Sequence, residues 1–310
     1  MEQVTTNTQK QSQTKERFDL RQTVTDIIIK QLEAGTVPWE KPWTGGKGSL
    51  LKIPKNGTTG KTYEGVNIVL LWGAALESGY QTNEWATFKQ WSKQNETIRQ
   101  EELKKGRMIV YYELKEQEVD GELKKYPMLK YSRVFNKAQL QSYCPYTEMV
   151  NVNKENKPLF QRLALVDQFV ENTKITIEEK GFDACYIPSE DKILMPSPEL
   201  FIDTEKCSAQ EGYYSVLTHE MIHLSGHEKR LNRDFGKKFG DQKFAVEELV
   251  AELGAAFLCA ELEITTPERK NHAGYIAHWL KVLRDDKQYI FSAASAANKA
   301  VDYFKGLQPQ

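Results

Sequence analysis

The chain has 310 residues, a length that predicts two domains of ordinary size, each burying a core of its own. Its longest apolar stretch, residues 66–76, is interrupted by Asn67 and too short to span a bilayer, and residues 1–16 are polar. From these features we expect no membrane partner, no signal peptide and a disordered tail over residues 1–16.

The net charge of −1 is unevenly distributed along the chain. Residues 1–170 carry 25 Lys and Arg against 20 Asp and Glu, and the remainder carries 17 against 23. Five of the six tryptophans also lie in the first third. A mildly basic, aromatic-rich half indicates an anionic partner there.

The four cysteines are widely spaced and form no C-x-x-C pair: Cys144, Cys185, Cys207 and Cys259. They predict reduced thiols in a cytoplasmic protein, with neither a disulfide framework nor a second zinc site.

The first half is predicted to mix helices with a hairpin. Helical periodicity covers residues 17–34, 64–77 and 84–93, and Pro38 and Pro42 hold Trp39 and Trp43 in an extended segment between the first two helices. Strands at residues 107–114 and 126–136 flank Asp120-Gly121, a hairpin signal. Residues 146–158 are polar and aperiodic, which predicts a linker.

The second half is predicted to open with a helix at residues 160–172. Short strands follow at residues 174–177, 184–187 and 192–195, and the last of them precedes an amphipathic helix that ends near Gly226. The complete chain is therefore predicted to be an α+β protein.

That amphipathic helix carries the pattern H-E-x-x-H as His219, Glu220 and His223. Residues four apart lie on one face of a helix, so the two imidazoles can hold one divalent ion, most simply Zn²⁺. Glu220 then lies beside the polarised water and can take its proton as a general base. Because a catalytic zinc has three protein ligands, a third ligand is expected elsewhere.

The segment Glu247-Glu248-Leu-Val-Ala-Glu252, on an otherwise apolar helix, resembles the third-ligand helix of zinc peptidases of the Glu-zincin type. This resemblance assigns Glu248 to the metal and Glu252 to orienting a ligand histidine, although the two roles could be exchanged. Glu247 is expected to point elsewhere.

Three further histidines have weaker patterns. His227 is out of register for the pattern H-E-x-x-H-x-x-G-x-x-H, whose last position is Lys229, so it is expected to be a capping or surface residue. His272, Tyr275 and His278 lie on a late helix from which an oxyanion-stabilising group could come, with helix packing as the alternative.

Several further motifs follow one another along the chain. They are Gly35-Thr-x-Pro-Trp39-x-Lys41-Pro-Trp43, then Gly60-Lys61-x-Tyr63-x-Gly65, Arg133-Val-Phe-Asn136, the metal motif, and His272-Ala-Gly-Tyr275. In these motifs and their order the chain resembles ArdC-type antirestriction proteins, from about residue 17 to residue 305. One departure is His223-Leu-Ser-Gly226, where the family often has an aromatic residue and Thr before the Gly.

The resemblance implies a protein of mobile elements that protects incoming DNA from restriction. It implies a mixed α/β domain binding single-stranded DNA at residues 17–145 and a zincin-like metallopeptidase domain at residues 159–306. The expected metal is Zn²⁺, with Mn²⁺ as the alternative, and the expected partners are single-stranded DNA and an unidentified protein substrate. Aromatic and basic side chains suit stacked bases and phosphates, and the candidates are Trp39, Lys41, Trp43, Lys61 and Tyr63.

Two functions remain open on this basis. In the first, a DNA-binding protein carries an active zinc-dependent endopeptidase. In the second, a DNA-binding protective protein keeps a structural or vestigial metal site without turnover. Glu220 favours the first, because a purely structural site needs the histidines but not this acid. A nuclease is not supported, since the basic half has no cluster of acidic residues for Mg²⁺.

Overall fold

The computed structural model describes residues 18–40, 52–119, 122–145, 159–204, 207–235, 242–266 and 272–309. Within these ranges the side chains of residues 119, 122, 160, 242 and 272–275 are not described. The expected tail at 1–16 and linker at 146–158 lie outside the described residues.

Within the described residues, the first half combines three helices with a four-stranded sheet. The elements are α1 (Leu20–Glu33), β1 (Lys55–Asn56), α2 (Val66–Ser78), β2 (Glu84–Thr87), α3 (Phe88–Lys93), β3 (Arg107–Val119) and β4 (Glu122–Asn136). The sheet has the order β1-β2-β4-β3, with β1 and β2 parallel and the other pairs antiparallel. The hairpin predicted around Asp120 forms as β3 and β4, longer than expected.

The prediction of a helix over residues 84–93 is wrong for its first four residues, which form strand β2. Trp85 and Ala86 pair with Asn136 and Phe135 of β4, and the helix begins only at Phe88. Thr87 starts it with a capping box, in which its side chain accepts the Gln90 N–H. Pairing with a distant strand overrides the helical pattern here.

The second half contains five helices and a three-stranded sheet within the described ranges. They are α4 (Leu159–Thr173), β5 (Thr176–Glu179), β6 (Cys185–Ile187), β7 (Lys192–Met195), α5 (Ala209–Ser225), α6 (Gln242–Glu261), α7 (His272–Asp285) and α8 (Tyr289–Gly306). The sheet order is β5-β7-β6, with β6 antiparallel to β7. The α+β prediction is confirmed. No helix in the described ranges combines the length and apolarity needed to cross a bilayer.

The two halves share a hydrophobic core. The Trp39 ring packs edge-on against Trp279 with 5.1 Å between ring centroids, and Trp72 packs against Phe257 at 5.5 Å. One cluster of buried side chains joins α1 and α2 to α6, α7 and α8. The expectation that each half buries a core of its own is therefore correct only in part. Trp39 and Trp72 of the first half pack against helices of the second, whereas Trp85 and Trp91 are buried in smaller clusters of first-half residues.

Candidate metal centre

Helix α5 presents the two histidines of the H-E-x-x-H pattern side by side. A capping box between Ser208 and Glu211 fixes its first turn, and Gly226 follows its last residue. His219 and His223 lie on one face with their ring centroids 4.9 Å apart. The local sequence thus produces the paired imidazoles that the spacing predicts.

Helix α6 packs against α5 and brings Glu248 to both rings. Nε2 of His223 lies 3.3 Å from Oε1 of Glu248, and Nε2 of His219 lies 3.7 Å from Oε2. One ligand atom from each of the three residues lies within 4.8 Å of the others. Tetrahedral zinc with ligand bonds of 2.0–2.1 Å separates ligand atoms by about 3.4 Å. The three side chains therefore fit a divalent cation with little movement.

The opposite nitrogen of each imidazole faces a different carboxylate. Nδ1 of His219 lies 3.4 Å from Oε1 of Glu252, and Nδ1 of His223 lies 3.2 Å from Oε1 of Glu247. A carboxylate at Nδ1 favours the tautomer that leaves Nε2 as the metal-binding atom. Glu252 lies beside a candidate ligand histidine, and its orienting role stays a prediction, whereas the expectation that Glu247 points elsewhere is wrong.

Glu247 is held by Arg233, a loop residue that the sequence analysis missed. The guanidinium donates from Nε and Nη2 to the two carboxylate oxygens at 2.9 and 2.7 Å. It also donates to Ser225 Oγ at 2.8 Å and to the Ile222 carbonyl at 2.6 Å. Arg233 therefore ties the end of α5 to the carboxylate beside His223. The sequence signalled this partner only through Glu247, because a Glu buried on an apolar helix needs a charged or polar partner.

Two carboxylates and a guanidinium surround His223 and shift the pKa values in the site. Burial lowers the pKa of His223, but Glu247 and Glu248 more than offset it and raise the value to about 10. Burial raises the pKa of Glu247, and the stronger opposing effect of Arg233 and His223 brings it below its ordinary value. The carboxylates therefore favour positive charge at this position, which without metal is a proton on the imidazole and which a bound cation would replace.

Glu220 is buried beside the strand β6. Its Oε2 accepts a 2.8 Å hydrogen bond from the backbone N–H of Tyr186. β6 is an edge strand of its sheet, so this amide points away from β7 and toward α5. The Phe235 ring lies near both Tyr186 and His223, at 6.2 and 6.4 Å between centroids. Glu220 is thus oriented by backbone at the wall of the site.

The remaining histidines are separate from this cluster. Nδ1 of His227 accepts the N–H of Lys229 in a local turn, in agreement with its expected capping or surface role. His278 is not part of the candidate metal-binding group found among the described residues. The side chains of His272 and Tyr275 lie outside the described residues.

The proposed DNA-binding residues are placed very differently from one another. Trp39 is only 2% exposed and packs on Trp279, so the expectation that it stacks on a base is wrong for this structure. Tyr63 is partly buried and donates to the Trp85 carbonyl at 3.2 Å, and burial raises its pKa to about 12. Lys61 is exposed, and Lys41 and Trp43 lie outside the described residues.

Comparison with known proteins gives two consecutive family matches. Residues 18–135 match the N-terminal domain of the anti-restriction factor ArdC, and residues 164–296 match a zincin-like metallopeptidase. The fold and site therefore define a two-part protein with a zincin-like metallopeptidase domain, a class of domain that binds metal.

Relatives of similar length define the family. A Sinorhizobium fredii protein, y4eC, is 34% identical over 94% of this chain and 92% of its own length. The crystal structure of the antirestriction protein ArdC from plasmid R388 is similar in its metal-free form, with a TM-score of 0.75 and 36% identity, and 94% of this chain and 98% of that chain are covered. Its Mn(II)-bound form gives 0.72 and 33%, with the same coverage. The chain belongs to the ArdC family of antirestriction proteins.

A larger protein contains a related segment. The DNA primase TraC of Escherichia coli is 31% identical over 90% of this chain, but the match spans only 26% of TraC.

Proposed function

We propose that this antirestriction protein binds single-stranded DNA through its first half and hydrolyses peptide bonds at a site built from His219, His223, Glu248 and Glu220. The observation that carries the peptidase proposal is the convergence of two imidazole Nε2 atoms on one carboxylate, with 3.3 and 3.7 Å separations. The other nitrogen of each ring already faces a carboxylate, as in metal sites that hold their ligands in one orientation.

His219, His223 and Glu248 are the proposed metal ligands, and Glu252 and Glu247 orient the histidines. Two imidazoles and a carboxylate suit Zn²⁺, with Mn²⁺ as the alternative that the Mn(II)-bound relative supports. A divalent cation held by these groups supplies Lewis acidity toward water and a peptide carbonyl.

Glu220 is the proposed general base. Hydrolysis adds the OH of a water molecule to the carbonyl carbon and its remaining hydrogen to the amide nitrogen, which leaves as an amine. Glu220 would take that proton on a carboxylate oxygen and deliver it to the nitrogen. The hydrogen bond from Tyr186 fixes this carboxylate in place, which a purely structural metal site would not require.

The DNA-binding half of the proposal is supported by the family match over residues 18–135 and by the likeness to part of a DNA primase. The excess of basic residues in the first half favours an anionic partner. Lys41, Trp43, Lys61 and Tyr63 stay in the proposal as contacts, and Trp39 leaves it because it is buried.

Glu220→Gln tests the peptidase. We expect it to bind Zn²⁺ or Mn²⁺ like the unmodified protein and to lose about 10²- to 10⁴-fold in cleavage of a mixed library of quenched fluorescent peptides. Glu228→Gln is the matched control, because Glu228 is an exposed acid shortly after the same helix. Cleavage that persists in Glu220→Gln with metal bound would contradict the assignment of the base.

Protection of incoming DNA in a restriction challenge separates the two functions. Full protection by Glu220→Gln would favour the non-catalytic alternative, a DNA-binding protective protein with a structural metal site. Titration of single- and double-stranded oligonucleotides at two salt concentrations tests the DNA-binding half independently.

A further inference from the structure

Beyond its base, the hairpin of β3 and β4 is a ribbon of two strands. β2 pairs with β4 only from Val134 to Asn136, whereas β3 and β4 continue to pair with one another as far as Val119 and Glu122. Asn67 binds the backbone of Val110 through both its amide atoms, at the base of the ribbon. Residues further out carry several large side chains that are exposed on the ribbon surface.

The pairing register assigns residues 111–118 and 123–130 of the ribbon to one of two faces, because directly opposed residues in a sheet lie on the same face. The first, here called the tyrosine–lysine face, contains Tyr111, Glu113, Lys115, Gln117, Lys124, Tyr126, Met128 and Lys130. The second, here called the aliphatic face, contains Tyr112, Leu114, Glu116, Glu118, Leu123, Lys125, Pro127 and Leu129.

The two faces differ in charge. On the tyrosine–lysine face, Glu113 lies between Lys115, at 3.1 Å, and Lys130, with which it also forms an ion pair. With Lys124, and with Glu122 counted at its strand position opposite Val119, this face has three lysines and two acids, and so an excess of one positive charge. On the aliphatic face the only lysine, Lys125, is paired with Glu116 at 3.1 Å, and Glu118 adds a second acid. A polyanion is therefore attracted to one face and not to the other.

The tyrosine–lysine face also offers aromatic rings among its lysines. Tyr111 is 45% exposed and stands opposite Lys130, and Tyr126 is 41% exposed and stands opposite Lys115. Four strand positions separate the two tyrosines along the ribbon, or about 13 Å. That distance corresponds to about four stacked nucleotides at 3.4 Å each.

At the base of the ribbon, the aliphatic face packs against other parts of the protein. Leu129 packs against the main hydrophobic cluster, and the neighbouring Tyr131 contacts Phe18 with 5.9 Å between ring centroids. The face that combines exposed rings with unbalanced positive charge is thus the one that lies opposite to these packing contacts.

We propose that the tyrosine–lysine face is where a single-stranded nucleic acid lies, with bases stacked on Tyr111 and Tyr126 and phosphates near Lys115, Lys124 and Lys130. This assignment rests on the proposed binding of single-stranded DNA and places it on residues that the sequence motifs did not indicate. Stacking needs the open π-face of an unpaired base, so a duplex should bind this face less well.

Adjacent residues on opposite faces supply matched controls in the full-length protein. Binding of a fluorescent oligothymidylate is measured by anisotropy for Tyr111→Ala and Tyr126→Ala, beside Tyr112→Ala, which removes an exposed ring from the aliphatic face. We expect each of the first two to weaken binding by about 5- to 150-fold, the range of one base–aromatic stack. Tyr112→Ala should bind like the unmodified protein.

Conservative replacement of the tyrosines and replacement of single lysines test the stacking and the phosphate contacts separately. Tyr111→Phe with Tyr126→Phe keeps both rings and should retain binding, even if the alanine variants prove unstable. Lys124→Gln should reduce the slope of log affinity against log salt by about 0.7, the value for one phosphate contact on a single strand. Lys125→Gln, one residue away on the other face, should leave this slope unchanged.

The outcomes distinguish the surface from the function. If the unmodified protein binds no single strand, the proposed DNA-binding function fails and this inference fails with it. If it binds and the tyrosine–lysine variants bind equally well, the function stands and this surface is wrong. Weakening by Tyr112→Ala and Lys125→Gln alone would move the strand to the aliphatic face and also overturn the inference.

Discussion

Replacement of Arg233 by Met tests whether the loop between α5 and α6 controls the metal centre from outside it. The guanidinium makes two hydrogen bonds to Glu247 and one each to Ser225 and the Ile222 carbonyl. Both side chains of the pair are well shielded, with 12% of Arg233 and 5% of Glu247 exposed, so solvent screens the pair little. Arg233→Met leaves Glu247 ionised and buried with only His223 beside it.

The expected loss of stability follows from that shielding. Breaking a buried pair by removing one partner typically costs about 3–5 kcal/mol, and because His223 remains as a second partner we expect the lower end of this range. A carboxylate released from Arg233 also orients His223 less firmly. Loss of an orienting partner of a ligand histidine typically weakens metal binding about 10- to 100-fold.

The assay combines denaturant unfolding without metal and competition for Zn²⁺ with a chelator. Arg230→Met is the matched control, because Arg230 lies in the same loop and binds Asp191 through two bonds of 2.8 and 3.0 Å but no carboxylate of the metal centre. It should lose stability without a comparable loss of metal affinity. Equal metal affinities for Arg233→Met and the unmodified protein would refute the positioning role of Arg233.

Three further predictions concern buried residues. Trp39→Ala, at the contact between the two halves, should lower the free energy of unfolding by about 3–5 kcal/mol. Denaturant unfolding followed at several wavelengths measures this loss and shows whether both halves unfold together. Gly254→Ala should lower the free energy of unfolding by about 1–3 kcal/mol in the same measurement, because an added Cβ would come within 2.8 Å of Ile222 on α5. No loss would show that the two helices can move apart slightly at little cost in free energy. Cys259 should resist labelling by maleimide until the protein unfolds, since burial raises the pKa of its thiol to about 12. The exposed Cys185 should be labelled in the native state. Rapid labelling of Cys259 in the native state would contradict its burial.

Local patterns determined much of this protein. The spacing of His219 and His223 specifies a shared helical face, since 3.6 residues per turn places residues four apart together. The Asp-Gly pair specified the hairpin of β3 and β4, because that pair suits the positive φ angles of a tight turn. Glu248 lies beside both histidines, and its assignment as a metal ligand, which stays a prediction, came from resemblance to a known helix and not from periodicity alone.

The tertiary structure decided which groups meet between elements. Glu247 and Glu252 lie on one helix, and only the packing of α6 against α5 determines that they face the Nδ1 atoms of different histidines. Arg233 reaches Glu247 from a loop whose path no periodic pattern encodes. Trp39 fits a stacking residue in sequence, but its burial against Trp279 depends on a helix some 240 positions away. In each case the local sequence specifies the chemical group, and contacts between distant segments specify its partner, because burial and hydrogen bonding depend on the whole fold.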